Sequence, residues 1–79
     1  MLIISFSVAV EENRAEEVRN KLMDEYGVAI TREGFYTEKL CWHEAKKRVY
    51  WDCYTPYSRF KYVTDYLDNE FDGNAILTY

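Results

Sequence analysis

Residues 2–10 alternate with a period of two. Leu2, Ile4, Phe6, Val8 and Val10 share one face, while Ile3, Ser5, Ser7 and Ala9 share the other. Successive side chains of a strand point to opposite sides, so this run predicts a strand with one face buried and the other lightly covered. A strand of this kind needs a layer over its apolar face, and the next segment supplies one. In "EENRAEEVRNKLMDEYG", Ala15, Val18, Leu22 and Tyr26 recur at helical spacing. Asn13 followed by Glu16 reads as a capping box, and Gly27 stands where a helix-ending glycine would. Glu11, Glu12, Glu16 and Glu17 crowd the helix start, where the helix dipole favours negative charge.

The middle of the chain reads as a hairpin. Val28 to Ile30 begin a strand, Glu33-Gly34 suggests a turn or bulge, and residues 35–43 and 48–55 carry strand character on either side of an "EAKK" loop. A register with His43 opposite Arg48 sets Trp42 against Val49 and Leu40 against Trp51 on one face. Cys41 then meets Tyr50, Lys39 meets Asp52, and Thr37 meets Tyr54 on the other. This gathers the large apolar residues and pairs opposite charges. It turns Cys41 outward and Cys53 inward, which excludes a disulfide between them.

Thr55-Pro56 reads as a helix cap followed by a first-turn proline. Phe60, Val63, Leu67 and Phe71 form the apolar stripe, Gly73 closes the helix, and "NAILTY" is a short last strand. With 79 residues the chain reads as a single compact domain, 1–79, burying about 60–65% of its unfolded surface. Two helices with one apolar stripe each and four strands in the order β-α-β-β-α-β have an economical solution. It is an α+β, ferredoxin-like fold: a four-stranded antiparallel sheet with two helices on one face, joined by right-handed crossovers.

Charge and composition narrow the function classes. The formal net charge is −4, whereas a domain that grips phosphates carries a basic excess. Two cysteines are too few for a disulfide framework at this size and read as reduced thiols of a cytoplasmic protein. "MLIISFSVAV" lacks a basic leader and is too short for a membrane helix, so neither a targeting signal nor a membrane partner is expected. The lightly covered sheet face and the edge strands make a homodimer an expectation as well.

"CWHEAKKRVYWDCYT" concentrates the chemistry-bearing residues. Cys41 and His43 are two apart on a strand and share a face, but a nucleophile pair needs a third group to orient the base. A zinc site needs about four ligands, and Cys53 points away. No catalytic residue, metal or cofactor is therefore expected. Tyr50 and Tyr54, with Tyr36 or Tyr79 nearby, form an aromatic face, and Lys46, Lys47 and Arg48 lie at its end. "KRVYWDCY" resembles the aromatic-rich third-strand motif of RNA-recognition domains, which implies base stacking on Tyr50 and Tyr54. It departs from them in lacking their glycines and in carrying Ser5 and Ser7 where the first strand would offer a ring.

The acidic residues carry the favoured reading. Asp65, Asp68 and Asp72 are spaced i, i+3, i+7 and share one side of the second helix, with Glu70 beside them. Tyr62 and Tyr66 lie among them, and Glu12 and Glu16 add charge on the first helix. Rows of carboxylates can stand in for a phosphate backbone, and tyrosines supply contact area. The surface is similar in type to that of small phage-encoded anti-restriction and anti-CRISPR inhibitors. That similarity implies a non-enzymatic protein whose partner presents a basic nucleic-acid-binding groove. A further reading is a metal-dependent nuclease resembling the CRISPR-associated Cas2 and VapD families, on the placement of Glu11 and Glu12 after the first strand.

Overall fold

The computed structural model describes residues 1–79 except the side chain of Leu40. Strand β1 (Ile3–Glu11) leads through a 3-10 turn (Glu12–Arg14) into helix α1 (Ala15–Asp24). Strands β2 (Ala29–Cys41) and β3 (Glu44–Pro56) form a long hairpin, followed by helix α2 (Tyr57–Phe71) and strand β4 (Ile76–Thr78). The sheet order is β2-β3-β1-β4, and every neighbouring pair is antiparallel. This is the ferredoxin-like α+β arrangement anticipated from the element order.

The period-two pattern is realised from Ile4 to Val10, whereas Leu2, expected on the buried face, lies before β1 and is exposed. Phe6, Val8 and Val10 are buried on the inner face and meet Cys53, Trp51 and Val49 of β3. Val18 and Leu22 of α1 and Val63, Leu67 and Phe71 of α2 close over them in one cluster. Each such side chain contributes about 1.5–3 kcal/mol by leaving water. Gly27 has φ 63, a left-handed conformation that suits glycine at a helix end. α2 ends differently, because Asp72 itself takes the left-handed turn at φ 50, followed by Gly73 at φ 82.

The hairpin register differs from the expected one. Val49 lies opposite Phe35 instead of Trp42, a displacement of seven positions along β2. Trp51 faces Glu33, Tyr50 faces Gly34, Asp52 faces Arg32, and Ala29 faces Tyr54. Cys41, Lys39 and Thr37 face Glu44, Ala45 and Lys47. Because Trp51 faces Glu33, the expected pairing of Leu40 with Trp51 does not form; the Leu40 side chain lies outside the described residues. "EAKK" is not the loop. The turn is Trp42-His43, and Glu44 to Lys47 belong to β3. An odd displacement exchanges the two faces of β2, and Trp42, expected in the core, is 93% exposed.

The physical reason lies in polar groups rather than apolar ones. Trp51 is fully buried, and a buried indole N–H needs an acceptor. Its Nε1 donates to Glu33 Oε1 at 2.8 Å. Arg48 is only 7% exposed; its Nε donates to Glu38 Oε2 at 3.2 Å and its Nη1 to the Asn74 carbonyl at 3.1 Å. Only the observed register brings Glu33 and Glu38 to these donors. It also leaves Gly34 under the Tyr50 ring, where a Cβ would collide.

Two caps also differ. Neither Glu11 nor Arg14, the residues that open the 3-10 turn and α1, makes a side-chain capping bond, so the Asn13–Glu16 box is not used. Thr55 caps nothing: it is buried opposite Ile4 in β3, and α2 begins at Tyr57, whose N–H donates to the Leu2 carbonyl at 2.9 Å.

β1 pairs with β3 only as far as Arg48, so residues 37–47 run on as a two-stranded ribbon. The molecule measures 46 × 24 × 21 Å. Edge strand β2 has register irregularities between Ile30 and Arg32 and between Lys39 and Cys41, and it carries the inward-pointing Glu33. Bulges and inward charges blunt an edge against pairing.

The register makes a direct prediction for chemical denaturation. Trp51→Ala costs about 3–5 kcal/mol, whereas Trp42→Ala stays within roughly 0.5 kcal/mol of the parent. Equal losses for the two substitutions would reject this hairpin.

Candidate functional site

The charge inventory separates carboxylates the fold uses from those it leaves free. Arg14, between the helices, pairs with both Glu17 and Glu70, and its guanidinium lies 4.8 Å from the Phe71 ring centre. These hydrogen bonds to Glu17 and Glu70 raise its already high pKa. Glu33 pairs with Arg19 at 3.6 Å, Glu25 with Lys21 at 3.2 Å, Glu38 with Arg48, and Glu11 with Lys46 at 3.6 Å. Asp52 accepts from Ser7 Oγ at 2.8 Å and faces Arg32 at 3.9 Å.

Among the described residues, Glu12, Glu16, Asp24, Asp65, Asp68 and Asp72 have no cation within ion-pair distance. Asp65, Asp68 and Asp72 are exposed with Tyr62 on the outer side of α2. Glu12 and Glu16 lie elsewhere, lining a shallow groove with Arg19, Glu33 and Phe35 between α1 and β2. Glu70 and Tyr66 are engaged within the fold. Tyr66 stacks on Tyr26 at 5.3 Å, with Lys21 Nζ 5.8 Å from its ring centre. Burial, then the nearby Glu70 and Glu17, raises its hydroxyl pKa.

The placement of Asp68 and Asp72 is electrostatically costly. Asp68 lies in the last turn of α2, which contains no basic residue, and Asp72 caps that end. A helix C-terminus disfavours negative charge, and Asp68 and Asp72 are like charges at i, i+4. Each effect opposes folding by a few tenths of a kcal/mol.

The sheet's open face carries Tyr36, Tyr50 and Tyr54, with Tyr36 and Tyr50 ring centres 6.3 Å apart. Tyr50 lies over Gly34, and its hydroxyl accepts from Arg32 Nη2 at 2.8 Å. Of the basic run, Lys46 is paired with Glu11 and Arg48 is buried, so Lys47 is its one residue without an ion pair among those described. Tyr79 packs edge-on against Phe60 at 5.3 Å and lines a shallow groove with Tyr54 and Asp52.

The hairpin tip holds a group that the sequence analysis did not assemble. Cys41 Sγ lies 3.7 Å from both ring nitrogens of His43, and His43 Nε2 lies 4.0 Å from Glu44 Oε1. Glu44 was missed because the displaced register put it in the loop. The adjacent His-Glu pair, two residues after a cysteine, was the available signal. No comparable group of three ligands forms around Glu11 and Glu12 among the described residues.

The two thiols differ. Cys41 is exposed and Cys53 buried, and both are free. Burial, and then the Asp52 charge, pushes the Cys53 thiol from 9.0 up to about 12. Folded protein therefore keeps that proton where unfolded chain loses it. The stability this contributes is complete below pH 9 and declines as pH rises toward 12. At neutral pH a thiol reagent should modify one cysteine, Cys41, in native protein and both after unfolding. Modification of both at one rate would contradict the burial of Cys53.

Among the described residues, no helix is long and apolar enough to cross a membrane. No protein-family model matches the sequence, and a search of curated proteins finds no relative. The likeness lies in the fold. The periplasmic divalent cation tolerance protein CutA from Archaeoglobus fulgidus superposes with a TM-score of 0.72 at 13% identity, over 99% of this chain and 83% of that one. A conserved bacterial DUF2179 protein from Eubacterium ventriosum gives 0.49 at 12% identity, over 94% of each chain. The first of these supports the ferredoxin-like fold.

Proposed function

We propose that the protein is a small non-enzymatic binding domain of the cytoplasm, acting in the manner of phage-encoded inhibitors. Its acidic face would occupy a basic nucleic-acid-binding groove on a partner protein. The observation that carries this reading is the row Asp65, Asp68 and Asp72 beside the exposed Tyr62. These carboxylates are unpaired in a molecule that pairs most of its others, and Asp68 and Asp72 stand where the helix dipole opposes them. Natural proteins give up stability at working surfaces, and a solvated face has no need of that arrangement. An exposed tyrosine adds apolar contact area with a polar tip. Two free thiols suit a reducing compartment.

The fold's own use of Lys46 and Arg48 disfavours direct nucleic-acid binding, because phosphate contacts need free cations. Short RNA and single-stranded DNA should therefore show no salt-sensitive binding.

Two variants test the proposal. Asp68→Lys replaces an i, i+4 repulsion with an attraction and puts a cation in the last turn, so it should raise stability by about 0.3–1 kcal/mol. The triple change Asp65→Lys, Asp68→Lys, Asp72→Lys should abolish capture of a lysate partner that single-stranded DNA displaces from the parent. Undiminished capture by the folded triple variant rejects the acidic face as the working surface.

A further inference from the structure

We propose that the tip of the β2–β3 hairpin binds a borderline-soft divalent transition metal ion, zinc being the type case. Its ligands are the Cys41 thiolate, one imidazole nitrogen of His43 and a carboxylate oxygen of Glu44. This stands apart from the acidic face of α2 and does not depend on it.

The tight turn brings the three ligands together. Cys41 and Glu44 are direct partners across the ladder, and only Trp42 and His43 separate them. Side chains of opposed residues start about 4.5–5.5 Å apart at their Cβ atoms, so the tight turn converges them without help from the core. The three ligand atoms lie within 4.8 Å of one another.

Tetrahedral zinc takes sulfur at about 2.3 Å, nitrogen at about 2.0–2.1 Å and oxygen at about 2.0–2.2 Å, which sets neighbouring donors roughly 3.3–3.6 Å apart. The Cys41–His43 separation of 3.7 Å is already close to this, and the His43–Glu44 separation of 4.0 Å needs only a small closure. Both imidazole nitrogens are equidistant from the sulfur, so the ring must turn to aim one lone pair. All three residues are exposed, so only the edge contact with Trp42 limits that adjustment.

The donor set selects the ion. Thiolate and imidazole suit zinc and its transition-metal neighbours, whereas magnesium and calcium take oxygen ligands. Binding replaces the Cys41 S–H bond with a sulfur–metal bond and releases one proton to solvent, with no change of oxidation state. Three protein ligands leave a fourth position for water or another donor.

A second observation is that the fold does not account for these residues. Among the described residues Asp72 is the one non-glycine with positive φ, so the Trp42-His43 turn neither penalises nor requires these two residues. Trp42 touches no core, yet its ring packs edge-on against His43 with centres 4.8 Å apart, which restrains the imidazole beside Cys41. An exposed thiol and indole on a bare ribbon are liabilities in a soluble protein, and ligation gives both a purpose.

The test uses the full chain, kept reduced, titrated with zinc alone by calorimetry and with cobalt by absorption. One ion per chain is expected, with a thiolate-to-cobalt charge-transfer band and no competition from excess magnesium. Cys41→Ser should remove the band. His43→Ala should weaken binding by at least the ~10–100-fold that losing even an outer-shell partner costs. The residues are exposed, so both variants should fold as the parent does. One ion shared by two chains, with the same dependence on Cys41, also supports the site. Absence of the band, or a band unchanged in Cys41→Ser, overturns it.

Discussion

The hydrogen bond from the Trp51 indole to Glu33 organises the molecule. Trp51 is the largest fully buried side chain, and burying it strands an N–H unless an acceptor follows it inside. Glu33 supplies that acceptor from the edge strand, and its carboxylate is in turn held by Arg19 of α1. One chain of contacts thus joins the centre of the sheet, its edge and the helical layer. It fixes which residue of β2 faces Trp51, hence which face of β2 looks inward, hence where the hairpin turns. The exposed tip is a remote consequence of satisfying one buried donor.

That dependence explains what could be read from the sequence. β1, both helical stripes and the element order were legible because each is a local period, and a local period reports burial directly. Phe6, Val8, Val10, Val18, Leu22, Val63 and Leu67 all sit where their spacing puts them. The register of β2 against β3 is a long-range choice, and apolar pairing made a persuasive but wrong case for it. Matching Trp42 with Val49 looked favourable because it gathered hydrophobic area. It ignored that Trp51 and Arg48, once buried, each need an acceptor. Glu33 and Glu38 meet that need only with the turn at Trp42-His43. Satisfying these buried donors takes precedence over pairing large apolar residues, and the observed hairpin follows.

The candidate surfaces were legible to different degrees for the same reason. Asp65, Asp68 and Asp72 form a helical row whatever the tertiary structure does, so spacing alone placed them. Whether a neighbouring acid is free or spent depends on contacts from distant elements, which is why Glu70 and Tyr66 proved to be engaged by Arg14 and Tyr26. The Cys41, His43 and Glu44 group depends wholly on the turn, and the displaced register dissolved it.

Both surfaces lie where the core exerts least control. The outer side of α2 and the end of the ribbon can change residue by residue without disturbing Trp51 or the layer above it. Yet both carry residues that local physics disfavours. Like charges stand at the negative end of α2, and an exposed thiol and indole sit at the tip of the ribbon. An unconstrained surface drifts toward what stabilises the fold or leaves it unaffected. Disfavoured chemistry at both places is what motivates the two proposals, contact with a groove in one case and with an ion in the other. A fold of this size has a margin of about 5–10 kcal/mol, so it can carry a few such local penalties only because the buried cluster around Trp51 leaves that margin intact.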